Sequence, residues 1–468
     1  MNHPTIAVIG AGTMGAGIAQ VAAAAGHRVK LHDVRAGAAA AAIAQIARSL
    51  DTQVNKGRLA PEQRDAALAR LEPVDALAAL AGATLAIEVI VEDLQAKQAL
   101  LREIEGIVPA DAVLASNTSS ISITAIAHGL ARPQRVVGMH FFNPVPQMKL
   151  VEVVSGADTD PAVAQAVFEL ARRWGKTPVH ARSTPGFIVN RIARPYYAEA
   201  LALLQEQGAA PATLDALARG AGFRMGPCEL MDMIGHDVNY AVTQSVFNAN
   251  YGDRRYVPSL VQKDLLDGGR LGRKSGRGFY EGVPATPEAT SGDAPPLPAP
   301  LTLHGDAPLL QAMSTKLGER GIVHGRRAAS EWNGLQVGEV ELHLCDGRSA
   351  IRHAAERGRR ALAVVDLPLG DMAGPLGLAF ASSTSEPARA LATTALRACG
   401  WQPLELRDLP GLWAARTVCM LINEAADAVH QGVCDEAGAD LAMKLGTGWP
   451  LGPFEWLRWI GVEQVVAV

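Results

Sequence analysis

The chain has 468 residues, 49% of them hydrophobic, and a formal net charge of −4. That length supports several packed domains, and the slight acidity excludes a general attraction to nucleic acid or acidic membranes. The five cysteines (Cys228, Cys345, Cys399, Cys419, Cys434) are scattered and form no Cys-x-x-Cys pair, so neither a disulfide framework nor a metal site is expected.

In chain order, "MNHPTIAVIGAG" runs almost directly into a strand. No basic segment followed by an apolar one opens the chain, which predicts no signal peptide and a cytoplasmic location. No apolar run approaches the ~18 residues of a membrane span. Residues 5–33 read strand, glycine turn, helix, strand, with Gly10-x-Gly12-x-x-Gly15 at the turn and Asp33 ending the second strand. In that setting Gly10 permits a tight turn, Gly12 lets the backbone approach a pyrophosphate, and Gly15 allows close helix–strand packing. Helix N-terminal amides then bind phosphate. Asp33 suits both ribose hydroxyls and would repel a 2′-phosphate, which favours NAD. Nearby Arg35 weakens that preference.

Further strand–helix alternation follows, with "TLAIEVIVE" at 84–92, "AVLAS" at 112–116 and "RVVGMHFF" at 135–142 read as strands. Such alternation builds a parallel sheet with helices on both faces. "GMHFFNPVPQMKLVEVV", residues 138–154, then reads as two apolar strands around a double-proline turn. Paired residues of a hairpin have a constant index sum, so a turn centred near Pro146 sets His140 opposite Glu152. A buried carboxylate needs a partner, and a carboxylate-supported histidine is a general base near neutral pH. The alternative is a structural ion pair. Asn143, the polar "SNTSS" at 116–120 (Asn117, Thr118, Ser119, Ser120) and Asn190 in "STPGFIVNR" favour the catalytic reading, because hydride transfer needs a cofactor, a base and groups that position the substrate.

From about 185 to 275 the pattern is helical, and the Pro/Ala-rich 283–300 reads as a linker. Beyond it, "ALAVVDLPLG" and "LGLAFASST" read as buried strands and "PARALATTALRACG" as a helix, a small α/β unit without a glycine fingerprint. An internal repeat closes the chain. "PGFIVNRIARPYYAEAL" at 185 matches "PGLWAARTVCMLINEAA" at 410, and "MGPCELMDMIG" at 225 matches "LGPFEWLRWIG" at 451. Arg191 corresponds to Arg416 and Glu199 to Glu424, but Asn190 corresponds to Ala415, so no second active site is expected.

The stretches "GAGTMGAGIAQVAA", "SNTSSISIT", "HFFNPVPQMKLVEV", "STPGFIVNR" and "GRKSGRGFY" resemble 3-hydroxyacyl-CoA dehydrogenases at matching spacing over residues 5–281. The longer architecture resembles the bacterial 3-hydroxybutyryl-CoA and 3-hydroxyadipyl-CoA enzymes. "RIARPYYAEA" and "VPSLVQKDLLDGGRLGRKSG" look most like the latter, which belongs to phenylacetate breakdown. The resemblance implies an NAD-binding Rossmann domain (1–184) and a helical substrate and dimerisation domain (185–282). After the linker (283–300) it implies a reduced Rossmann-like unit (301–408) and a degenerate, incomplete second helical domain (409–468).

It also implies roles. His140 is the base, Glu152 its orienting partner, Ser119 the donor to the substrate oxygen, and Asn190 and Asn143 hold the reacting centre. The implied NAD contacts are Gly10, Gly12, Thr13, Met14, Gly15, Asp33, Glu92, Lys97, Asn117, Ser119, Asn143 and Lys274. Ser49, Lys56, Lys97 and Ser119 fall to coenzyme A of an acyl-CoA substrate. Without the matching spacing, Ser49, Lys56 and Lys97 would read as a solvated helix face. A homodimer through the helical domains is implied, with the second copy replacing or supplementing that contact. A 3-hydroxyadipyl group would want an arginine for its carboxylate, with Arg194, Arg224, Arg254 and Arg255 as candidates. Competing readings are a dehydrogenase of a free hydroxy or sugar acid, as in the similar lens λ-crystallin, and a non-catalytic NAD-binding structural protein.

Overall fold

The computed structural model describes residues 4–282, 296–370 and 373–468. Most of the expected linker, residues 283–295, lies outside them. The chain folds as two compact units, one of Met1–Arg191 with Ala428–Thr447 and one of Ile192–Asp427 with Gly448–Val468. Among the described residues, no helix is long and apolar enough to cross a membrane.

The first unit is built on β1 (Ile6–Ile9), β2 (Val29–His32), β3 (Leu71–Val74), β4 (Leu85–Glu88), β5 (Val113–Ser116), β6 (Val136–Phe141), β7 (Leu150–Ser155) and β8 (Thr177–Arg182). The strand order is β3-β2-β1-β4-β5-β6-β7-β8. All pairings are parallel except β6 with β7. That exception is the hairpin, and His140 does pair with Glu152. β1 is buried along its whole length, as a parallel strand covered on both faces must be. The chain leaves β1 first to one side and later to the other. Such a reversal opens a crevice at the carboxyl ends of β1 and β4, where doubly wound sheets bind ligands.

One expectation needs correction here. The apolar run at 84–92 is strand only to Glu88, and Val89–Glu92 leave the sheet. Glu92 is thereby released into the crevice rather than held in a ladder.

Residues 428–447 also belong to this unit, although they follow the first sheet by about 250 positions. The helix Glu436–Thr447 packs on β7 and β8, and Arg182 donates its amide to the Val433 carbonyl at 2.8 Å. Gly446 permits the contact, since a Cβ there would stand 2.9 Å from Leu150 and 3.0 Å from Val189.

The second unit carries a seven-stranded sheet of β9 (Leu301–His304), β10 (Gly325–Arg327), β11 (Gly334–Val337), β12 (Val340–Leu344), β13 (Leu362–Val365), β14 (Gly374–Phe380) and β15 (Trp401–Glu405). The order is β10-β9-β11-β12-β13-β14-β15, with β11 antiparallel to both neighbours and β13 antiparallel to β14. The two strands and the helix read from sequence are β13, β14 and Glu386–Ala398.

Within this unit the two helical copies pack on each other. Arg416 reaches Glu199 at 2.8 Å and Glu206 at 3.0 Å. Arg255 reaches Asp427 at 2.8 Å, and the Tyr256 hydroxyl donates to Glu424 at 2.5 Å. Tyr196 of the first copy meets Trp413 and Trp449 of the second, and Phe223 meets Trp413, Trp449 and Trp456, in edge-on or tilted ring contacts. Aromatic pairs of this kind add about 0.5–1.5 kcal/mol each beyond their buried area.

Candidate active site

The glycine turn has the shape a dinucleotide needs. Gly10 has φ +111°, and a Cβ there would lie 2.4 Å from the Val89 carbonyl oxygen. A Cβ on Gly15 would lie 1.8 Å from the Gly10 oxygen, so the helix Thr13–Ala24 rests directly on the turn. At Gly12 the same test meets nothing within 4 Å. The cradle is thus closed behind and open in front, with Thr13 and Met14 in the first helical turn. Asp33 sits just past β2, where its Oδ2 accepts the Ala11 amide at 2.8 Å. Arg35 donates to both of its oxygens at 2.9 and 3.0 Å, and this pairing holds the Asp33 carboxyl far below its usual range.

Across the crevice, His140 Nδ1 is 2.6 Å from Glu152 Oε2. Glu152 is fully buried, and its other oxygen accepts the amides of Ile188 (3.1 Å) and Val189 (2.9 Å). A carboxylate that accepts on both oxygens takes a proton-bearing Nδ1, and in the neutral imidazole that tautomer carries its lone pair on Nε2. Phe142 and Phe187 flank the imidazole at ring separations of 4.5 and 5.8 Å. Asn190 Nδ2 lies 3.5 Å from the Ser119 carbonyl, so the serine turn and the asparagine come together. Asn117 accepts the Phe141 amide at 2.9 Å and ties the end of β5 to β6. Asn143 is exposed in the proline turn.

The serine turn is gathered by Glu92. Its Oε1 accepts from Thr118 Oγ1 (2.7 Å), the Ser119 amide (2.9 Å), Ser120 Oγ (3.0 Å), the Ser120 amide (3.2 Å) and Ser119 Oγ (3.3 Å). Burial would raise the Glu92 carboxyl, but the Thr118 hydroxyl, the Lys97 charge and the turn's other donors outweigh it and hold it low.

For Lys97 a solvated helix face does not hold. It is 1% exposed, with its ammonium 2.8 Å from Glu88 and 3.3 Å from Glu92. Glu88 also accepts the Ser116 hydroxyl at 2.5 Å, and burial pushes its carboxyl up. Neither Glu88 nor Ser116 was singled out from the sequence. The available signal was an acid ending an apolar strand, "LAIE", nine residues before a lysine.

Ser49 is half-buried on the helix Ala38–Asn55 and Lys56 is exposed just past it, seven residues or two turns along one face. Lys274 belongs to the other unit, where it pairs with Asp237 at 2.6 Å. The four arginines named for an acyl carboxylate also differ. Arg224 and Arg254 are exposed, and Arg255 is tied to Asp253, Glu424 and Asp427. Arg194 is buried, not at the surface; it donates to Thr243 at 3.1 Å and stacks on Tyr197.

Known proteins match along the whole chain. The NAD-binding domain of 3-hydroxyacyl-CoA dehydrogenase matches residues 5–184, and the C-terminal domain of that enzyme matches 186–282 and again 411–468. The reduced Rossmann-fold domain of 3-hydroxybutyryl-CoA dehydrogenase matches residues 342–410. The 3-hydroxyadipyl-CoA dehydrogenase of Escherichia coli (strain K12) is 44% identical over 467 residues, which covers 100% of this chain and 93% of that relative. The chain belongs to the 3-hydroxyacyl-CoA dehydrogenase family.

The dehydrogenase also resembles a crystal structure of 3-hydroxybutyryl-CoA dehydrogenase from E. coli K12, with 43% identity and a TM-score of 0.90 over 100% of this chain and 93% of that one. A shorter (S)-3-hydroxybutyryl-CoA dehydrogenase from Ralstonia eutropha matches at 38% identity and a TM-score of 0.59, covering 60% of this chain and 100% of that one. This dehydrogenase is an NAD-dependent oxidoreductase of 3-hydroxyacyl-CoA substrates. The repeat seen in the sequence is the family's C-terminal domain, matched twice.

Proposed function

We propose that the dehydrogenase oxidises the (S)-3-hydroxyl of 3-hydroxyadipyl-CoA to the 3-keto group, with His140 as general base. The observation that carries the mechanism is the His140–Glu152 contact of 2.6 Å, with the second carboxylate oxygen fixed by two backbone amides. His140 Nε2 takes the hydroxyl proton as C3 gives up its hydride, and Glu152 stabilises the imidazolium that forms. Ser119 donates to the developing carbonyl oxygen, while Asn190 and Asn143 hold the reacting centre. Bound NAD supplies the hydride acceptor; Gly10, Gly12, Thr13, Met14, Gly15 and Asp33 would hold it, with Glu92 and Asn117 as further contacts. Ser49 and Lys56 would take the phosphates of coenzyme A.

The adipyl chain is supported by the full-length relative named for it. The butyryl chain is the second reading, supported by the names of the E. coli and Ralstonia structures. NADH formation with both thioesters in parallel separates them, since kcat/KM compares transition-state binding. Preference for the adipyl thioester is expected. Preference for the butyryl thioester would replace the first reading by the second, and activity with neither would remove both.

For the assembly, our reading is that the second helical copy takes the place a partner's helical domain would fill, so the homodimer expected from the resemblance is not needed. The pairing of Arg416 with Glu199 and of Arg255 with Asp427 supports this. A solution mass near 49.1 kDa is expected, and a stable dimer would restore the homodimer. A cytoplasmic location is our reading as well, because NAD and acyl-CoA pools are found there.

A further inference from the structure

Lys97 lies between two carboxylates, and the two belong to different parts of the site. Glu88 ends β4 inside the sheet, beside Ser116 of β5 in register, and is fully buried. Glu92 stands on the loop that leaves the sheet, with its side chain 39% exposed. The first turn of the helix Leu94–Ile107, capped by Asp93, carries Lys97 back onto both. The chain of contacts runs from Ser116 and Glu88 in the sheet, through the Lys97 ammonium, to Glu92 and then to five donors of residues 118–120. Of those five, the Ser119 hydroxyl makes the longest bond, 3.3 Å, so releasing it toward a substrate oxygen leaves Glu92 held by the other four.

We propose that Lys97 is a positioning residue: anchored on Glu88, it fixes Glu92 and thereby sets the Ser119 turn for the substrate oxygen. This rests on the role of Ser119 given above. Without the ammonium, Glu92 loses its counter-ion beside a second buried carboxylate and swings toward water, taking the turn's acceptor with it. Direct contact of Lys97 with coenzyme A is the alternative, and it predicts different kinetics.

The test is Lys97→Met in the native chain and in a Ser119→Ala background, with kcat, KM for the thioester and NAD affinity measured for each. A misplaced serine lowers kcat, on the order of 10²-fold at most for a shift of about 1 Å. A loss of roughly 10–100-fold in kcat is therefore expected, with partial rescue by Lys97→Arg. In the Ser119→Ala background, Lys97→Met should change kcat by less than about threefold, because residues that act through one another are not additive. Equal losses in both backgrounds would overturn the proposal, as would a rise in KM at unchanged kcat, the mark of a coenzyme A contact. Full activity of Ser119→Ala alone would overturn both this proposal and the serine's role. Removing one partner of a buried ion pair can itself unfold a chain. Lys97→Met combined with Glu88→Met removes both members of the buried pair, leaves only Glu92 charged, and must show the same background dependence.

Discussion

Two carboxylates accept the backbone amides at the heads of the two helical copies, and only one of them also contacts a histidine. Glu152 accepts the amides of Ile188 and Val189 at the head of the first copy. Asp366 accepts those of Trp413, Ala414 and Ala415 at the head of the second. Residues 188 and 189 fall on 413 and 414 at the repeat offset of 225. The backbone is preserved in detail, since Phe187 and Leu412 both hold a left-handed conformation, with φ +48° and +47°, each after a glycine. The difference lies in how the oxygens are used. Glu152 gives one oxygen to the helix and keeps one for His140. Asp366 has both engaged by backbone amides, with Leu367 as the fourth donor. Where Asn190 follows in the first copy, Ala415 follows in the second. The carboxylate under the helix is thus a folding element of both halves, and in the mechanism proposed above catalysis uses the spare oxygen, a histidine on it and an asparagine beside it.

This comparison is broken most severely at Glu152. Glu152→Gln loses the negative charge that selects the Nδ1–H tautomer, and kcat should fall on the order of 10³–10⁴-fold, as when a triad carboxylate becomes an amide. Steady-state kinetics with either thioester check this.

The next effect is on stability. Burial pushes Asp366 up to about 6, against its amide donors. An acid raised above its unfolded value near 3.9 favours the folded state while protonated. Its contribution is therefore full below about pH 4 and falls as pH rises through about 6, by about 3 kcal/mol across the shift. Urea unfolding at pH 4.5 and pH 7 should show this slope, and Asp366→Asn should abolish it.

The smallest effect is the matching substitution read at neutral pH. Asp366→Asn turns an NH₂ toward amides that need an acceptor and should cost about 1–3 kcal/mol. Its kcat should stay within about threefold of the native value, in contrast to Glu152→Gln.

Much of the site was legible in the sequence because it is local. The glycine fingerprint declares its own geometry, and a short hairpin has few registers, so the pairing of His140 with Glu152 followed from the turn alone. The Glu88–Lys97–Glu92 strut was missed because a lysine on a helix reads as solvated until a buried acid is known to face it. In the second sheet, β9, β11 and β12 are short and carry His304, Gln336, Glu341 and His343, which hide an apolar pattern. That residues 428–447 fold with the first sheet depends on contacts such as Arg182 with Val433, about 250 positions apart, and no local pattern carries them.

The most direct test of the central claim, that chemistry resides on the first carboxylate and not the second, is the turnover of His140→Ala. Loss of about two to four orders of magnitude in kcat, with NAD binding retained, is the predicted result. A kcat within tenfold of the native enzyme would mean that another group takes the proton, and the comparison drawn here would fall.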